Sequence, residues 1–219
     1  LLSVLSSSAE AAVKVVTTTQ DLASITQEIG AANVEVSYIS RGDMDPHFVD
    51  AKPSYMVKLS SANLVIAVGM ELEIGWLPSL LTGSRNPNIQ PGAPGYLEAS
   101  TGIKPIEVPS GSMDRSKGDL HPAGNPHYWL DPQNSLVMAQ TIAEKIKQLR
   151  PNSSKSVDQN LANFQANYKE KSKIWDQRMA PLRKAKILTY HKSWTYFANR
   201  YNLQVEDTIE TKPGIPPTP

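Results

Sequence analysis

The chain has 219 residues, of which 40% are hydrophobic and 20% charged, enough apolar content for a folded core and too much for a disordered tail. Its formal net charge of +1 gives no electrostatic footprint for nucleic acid. It has no cysteine, which excludes a disulfide framework, a thiolate zinc finger, an iron–sulfur cluster and a cysteine nucleophile within this stretch; a transition-metal site would have to use its four histidines with carboxylates.

The first residues, Leu1-Leu2-Ser3-Val4-Leu5, form a short apolar run followed by small residues, with Ala9-x-Ala11 as a cleavage site. Residues 1–12 are therefore expected to be the remnant of a signal peptide, and without a lipidated cysteine the setting is a Gram-negative type of periplasm. No segment reaches the ~18 apolar residues of a membrane helix, so no stable membrane insertion is expected.

Val13 to Thr18 is a β-branched run that predicts a strand. Asp21 is expected to cap a helix reaching Ile29, with Leu22, Ile25 and Ile29 on one face. Val34 to Ile39 alternates as a second strand, Pro53 to Ser61 is a short helix with proline at its start, and Leu64 to Val68 is a buried strand. Strands alternating with helices imply a parallel sheet covered on both faces.

From Pro87 to Gly124 the chain is rich in Pro, Gly and Ser; one strand is expected over Ile103–Val108 and a long loop from Pro109. Asp131-Pro132 predicts a cap and first helical residue, with the helix running to about Leu149. A second helix of nearly thirty residues follows Pro151, with Val157, Leu161, Phe164, Tyr168, Trp175 and Met179 on one face. Such a helix suits a connection between two lobes. Strands at Lys186–Tyr190 and Val205–Ile209 flank a helix over Ser193–Tyr201, so the βαβ pattern restarts near residue 184. The expected organisation is a first α/β lobe over 13–150, a linking helix over 151–183, and the start of a second, truncated α/β lobe over 184–219. The charge is uneven: residues 141–192 are basic, which is read as a solvated helix face, and residues 1–140 are acidic.

His47, His127 and His191 each fall at a strand-to-helix turn, and in an open α/β sheet such turns share the ligand-binding edge. Three imidazoles from such turns on two facing lobes could converge on one cation, although a histidine taken singly is more often a capping or core residue than a ligand. The spacings are not a local metal motif, so the fold must supply the geometry.

The words Asp45-Pro46-His47, Ala62-Asn63-Leu64-Val65-Ile66 with Gly69 and Glu71 or Glu73 before Trp76, Asn125-Pro126-His127-Tyr128-Trp129-Leu130-Asp131-Pro132, and Tyr190-His191-Lys192-Ser193-Trp194 resemble the metal-receptor family of ABC importers. These are the extracytoplasmic zinc and manganese solute-binding proteins of cluster A-I. The resemblance runs in order from about Val13 to Pro219. It implies two Rossmann-like lobes with parallel sheets joined by one long rigid helix, and a metal in the cleft. It also implies His47, His127 and His191 as ligands, a histidine at the third position favouring Zn2+ over Mn2+, and a fourth, carboxylate ligand beyond residue 219. The implied partners are a divalent metal ion and a membrane permease, and the protein is expected to act as a monomer.

Two further residues are possible accessory ligands. Glu210 would either point into the cleft or lie at a strand end on the surface, the second being the plainer reading. His121, with Asp114 and Asp119, would either pass metal inward or belong to a solvated loop. The rival readings are a three-histidine zinc hydrolase or lyase, a manganese receptor, and an adhesin of the same family. No G-x-S-x-G, no phosphate loop and no general base in a persuasive context supports an enzyme.

Overall fold

The chain is described here by a computed structural model covering residues 11–110 and 121–210. The signal-peptide expectation for residues 1–10, the loop acids Asp114 and Asp119, and the segment after Glu210 lie outside the described residues.

Strand β1 (Val13–Thr19) lies inside a four-stranded parallel sheet, between β2 (Val34–Ser40) and β3 (Leu64–Ala67); β4 (Tyr96–Glu98) closes the far edge, giving the order β2-β1-β3-β4. Val15 pairs with Val36 on one side and Leu64 on the other. Successive strand residues point to opposite faces, and the sequence fills both. Val13, Val15, Leu64 and Ile66 face a core shared with α1 (Gln20–Gly30), α4 (Asn134–Leu149) and the start of α5 (Ser154–Met179). Val16, Val65 and Ala67 face a second core built with α2 (Pro53–Ser60) and α3 (Leu77–Ser84). Truncating a fully buried residue such as Ile66 or Ile142 is expected to cost about 2–5 kcal/mol.

Local details depart from the expectations. β1 runs into α1 without a loop, so Thr19 is the cap, its side chain accepting from the Leu22 N–H, while Asp21 sits in the first turn where the helix dipole favours a negative charge. Asp131 does not cap α4. Its Oδ1 accepts from the Gln133 N–H at 2.9 Å, closing a local turn around Pro132, and the helix begins at Asn134. Ile103–Val108 is not a strand. Pro105 removes a donor, and the Ile106 N–H bonds to the Tyr196 hydroxyl instead of a ladder neighbour. The fourth strand is Tyr96–Glu98.

The long helix is present as a turn at Pro151–Ser153, α5, and a turn at Ala180–Leu182. Its expected apolar face is graded. Val157 and Leu161 are buried in the first core with Phe164 packed against it, whereas Tyr168, Trp175 and Met179 are only half-buried. Lys155, Lys169, Lys171 and Lys173 are exposed, in keeping with a solvated basic face.

Beyond α5 a second α/β unit starts. β5 (Lys186–Thr189) and β6 (Gln204–Thr208) pair in parallel around α6 (Thr195–Tyr201). The architecture is thus two parallel α/β units joined by a long helix. Among the described residues no helix is long and apolar enough to cross a membrane.

Candidate metal centre

His47 and His127 are held by the same local device. In Asp45-Pro46-His47, Asp45 Oδ1 accepts from the His47 backbone N–H at 2.9 Å and from its Nδ1 at 2.7 Å. In Asn125-Pro126-His127, Asn125 Oδ1 accepts from the His127 N–H at 3.0 Å and from its Nδ1 at 2.9 Å. An Asx turn across a φ-restricted proline fixes backbone and ring together. Each turn is pinned to the body of the first unit. Trp76 Nε1 donates to the Pro46 carbonyl at 2.9 Å, and the Tyr128 hydroxyl donates to the Val68 carbonyl, just past β3, at 2.7 Å.

His191 follows β5 in the second unit. Its Nδ1 meets Glu210 Oε2 at 2.6 Å. The Glu210 N–H donates to the Tyr190 carbonyl, which continues the β5–β6 pairing and brings the carboxylate beneath the ring. Glu210 is therefore not a surface strand-end carboxylate: its side chain is 10% exposed.

The three rings meet. Centroids are 5.1 Å apart for His47–His127, 5.3 Å for His47–His191 and 5.1 Å for His127–His191. One ring nitrogen of each lies within 4.8 Å of the others. Because every Nδ1 is engaged with an oxygen acceptor, the free lone pair of each imidazole is on Nε2. Asn125 fixes this for His127: its Nδ2 donates to Glu107 Oε2 and to the Lys192 carbonyl, so its oxygen end must face the histidine. His47 Nε2 is buried and has no hydrogen-bond partner, a costly arrangement unless a ligand completes it. Tetrahedral zinc with bonds of about 2.0–2.1 Å separates its ligand nitrogens by about 3.4 Å, so small ring movements would bring three Nε2 atoms into a coordination sphere.

The electrostatics at His127 suit a neutral ligand. His127 is pushed down to about 2 by burial first and the neighbouring imidazoles second. The Asp45 carboxyl is held below its usual range, chiefly by the hydrogen bond from His47.

His121 is half-buried, which departs from the reading of it as part of a solvated loop. Its ring lies 5.4 Å from that of His47, its Nε2 is buried without a hydrogen-bond partner, and burial pushes it down to about 4. It stands outside the three-histidine group. A cavity of about 340 Å3 opens beside His47 and His121, lined also by Glu71 and Trp76.

Glu73, one of the acidic residues in the quoted motif, is structural. Its buried carboxylate accepts from the Val68 N–H at 2.7 Å and the Gly69 N–H at 3.1 Å. This holds the turn after β3, where Gly69, Met70 and Glu71 are all left-handed. At Gly69 a Cβ would come within 2.6 Å of Ser100 Oγ. The sequence reading gave no holding role to Asp45, Asn125 or Glu210. The twice-used Asp/Asn-Pro-His spacing was the available signal for the first two.

The zinc-uptake complex component A (periplasmic) family, ZnuA, matches residues 15–219. The manganese ABC transporter substrate-binding lipoprotein PsaA of Streptococcus pneumoniae is 28% identical over 215 residues, which is 94% of this chain and 64% of that protein. The chain thus spans less than two thirds of that relative's length. A crystal structure of ZnuA is similar over 94% of this chain and 73% of its own, at 29% identity and a TM-score of 0.76. A zinc-bound ZnuA lacking residues 138–173 is similar over 94% and 72%, at 28% identity and a TM-score of 0.74.

Proposed function

Because this chain belongs to the ZnuA family of metal-binding ABC solute-binding proteins, we propose that it captures a divalent transition metal outside the cytoplasmic membrane and hands it to an importer permease. The cargo in this reading is Zn2+, bound by Nε2 of His47, His127 and His191. The single observation that carries it is the convergence of three imidazoles, each with Nδ1 held by an oxygen acceptor. Holding one ring nitrogen sets the tautomer and raises the basicity of the other. An all-imidazole set suits zinc better than manganese, which prefers oxygen donors. The zinc-bound ZnuA neighbour supports this choice, and the manganese designation of PsaA opposes it.

In the same reading residues 13–150 form the first lobe, 151–183 the linking helix, and the second lobe begins at 184. The family description supports the periplasm as the setting. The protein works as a monomer, and a carboxylate or water completes the sphere. The relatives are substrate-binding proteins of ABC transporters, which supports a carrier rather than a zinc hydrolase.

The test is competition against a chromophoric chelator with Zn2+ and Mn2+ separately. Zinc is expected to bind one to one and at least about a hundredfold more tightly than manganese, and H127A to lose most of the zinc affinity. Tighter manganese binding would refute the zinc assignment; wild-type zinc affinity in H127A would refute the site.

A further inference from the structure

Glu107 belongs to no strand or helix, yet its carboxylate bridges the two units. Its Oε2 accepts from Asn125 Nδ2 at 2.8 Å and from Thr195 Oγ1 at 3.3 Å, and its Oε1 pairs with Lys192 Nζ at 2.8 Å. Asn125 Nδ2 also donates to the Lys192 backbone carbonyl at 2.9 Å. Asn125 is the residue that orients His127, and Lys192 directly follows His191. One carboxylate therefore touches the supports of ligands from both units.

The backbone marks the same place. Glu107 adopts a left-handed φ of 54°, a conformation that costs a residue with a Cβ and favours glycine. The chain reaches it by packing closely on Gly124, where a Cβ would come within 2.6 Å of the Ile106 carbonyl oxygen. A strained non-glycine residue persists where surrounding contacts over-determine it, and such residues cluster at functional sites.

We infer that Glu107 is a positioning residue for metal capture: it locks the Asn125 carboxamide with its oxygen toward His127, and so registers His127 of the first unit against His191 of the second. The inference rests on the three-histidine reading of the site. A primary amide has two nearly equivalent orientations, and the acceptors around it decide between them. With Glu107 Oε2 and the Lys192 carbonyl on one side, only the NH2 end fits there. Without Glu107, one donor is left unanswered and the constraint on the His127 ring weakens. What matters in this account is the acceptor presented to Asn125. The ion pair to Lys192, whose side chain is 56% exposed, contributes little, as exposed pairs usually do.

Two variants of the 219-residue chain separate this from a structural role. Glu107→Gly removes the acceptor while relieving the left-handed backbone, two effects of opposite sign and similar size, so its thermal midpoint is expected to move by no more than a few degrees. Its affinity for Zn2+ alone is expected to fall at least about fivefold, less than the ten- to hundredfold usual when a direct partner of a metal-bound histidine is removed, because Glu107 acts through Asn125. Glu107→Gln keeps an acceptor for Asn125 and loses only the charge; it should stay within about threefold of wild type. The visible absorption bands of the Co2+-loaded protein should move in Glu107→Gly and not in Glu107→Gln. Wild-type zinc affinity in Glu107→Gly would overturn the inference, and so would equal losses in both variants. H127A run alongside distinguishes the failures. If it loses zinc while Glu107→Gly does not, only the role of Glu107 falls; if it too binds normally, the metal site itself was misread.

Discussion

Asp45 Oδ1 receives both the backbone N–H and the ring Nδ1 of His47, at 2.9 and 2.7 Å, so one oxygen sets where the loop goes and which nitrogen stays free. Asn125 does the same for His127 with a neutral amide. The shared requirement is an acceptor oxygen, not a negative charge. Asp45→Asn is therefore expected to keep zinc affinity within about threefold, and Asp45→Ala to weaken it about ten- to a hundredfold. The Asp45 side chain is 58% exposed, which limits what its charge adds. Chelator competition on the two variants checks this, and equal losses would show that charge dominates.

The metal-free protein should lose stability as the pH falls. His127 stays neutral in the fold down to about 2 and His121 down to about 4, both because of burial first. In the unfolded chain each takes up its proton near pH ~6.5. Below that pH the unfolded state holds more protons than the folded state, so the free energy of unfolding falls. His127 alone contributes a slope of about 1.4 kcal/mol per pH unit. Above pH ~6.5 both states are neutral at these positions and the contribution vanishes. Urea denaturation with a chelator present, at pH 7.5 and 5.5, should give a lower midpoint at 5.5, and replacing His127 by Gln should flatten the difference.

Glu73 should matter for stability far more than its distance from the three rings suggests. Its two oxygens each answer a backbone donor in the turn after β3, and burial pushes its carboxyl above the usual range. In Glu73→Gln one end becomes a donor facing another N–H. Leaving a buried donor unanswered costs about 1–3 kcal/mol. The variant is expected to unfold at lower urea with an unchanged slope. A midpoint equal to wild type would mean that the turn does not depend on this carboxylate.

The strands β1 and β3 were legible because their apolar runs are buried on both faces, and β2 because its residues alternate. β4 and α3 were not: Tyr96–Glu98 is three residues long, and α3 begins Leu77-Pro78 amid glycines and serines, with too few turns to show a period. For the histidines, their place at strand-to-helix turns was readable, since sheet topology sends such turns to one edge. That the rings meet was an expectation from topology and from the family resemblance, because nothing local links His47 to His127 or His191. Glu210 and Glu107 act on partners 19 and 18 residues away across separate segments, and no pattern of residue types encodes such pairs. Asp131 shows the opposite failure. Asp-Pro is a fair helix-start signal, but Asp131 spends its side chain on the Gln133 N–H, and the helix waits for Asn134.

Tyr196 offers the most direct measure of how firmly the two units are joined. Its hydroxyl accepts from the Ile106 N–H at 3.2 Å and donates to the Asn125 carbonyl at 3.1 Å, so one oxygen from α6 satisfies two backbone groups of the first unit. The residue is 5% exposed, so water would not easily replace it. Tyr196→Phe keeps the ring and deletes only this oxygen, leaving a donor and an acceptor short of partners. A loss of about 1–3 kcal/mol is expected for a buried group left unpaired. Because the Asn125 side chain keeps its contacts to Glu107 and Lys192, zinc affinity should fall less than in the glycine variant at 107. If Tyr196→Phe instead weakens zinc binding the more and leaves the denaturation midpoint unmoved, then the hydroxyl, rather than the carboxylate, sets the register between His127 and His191.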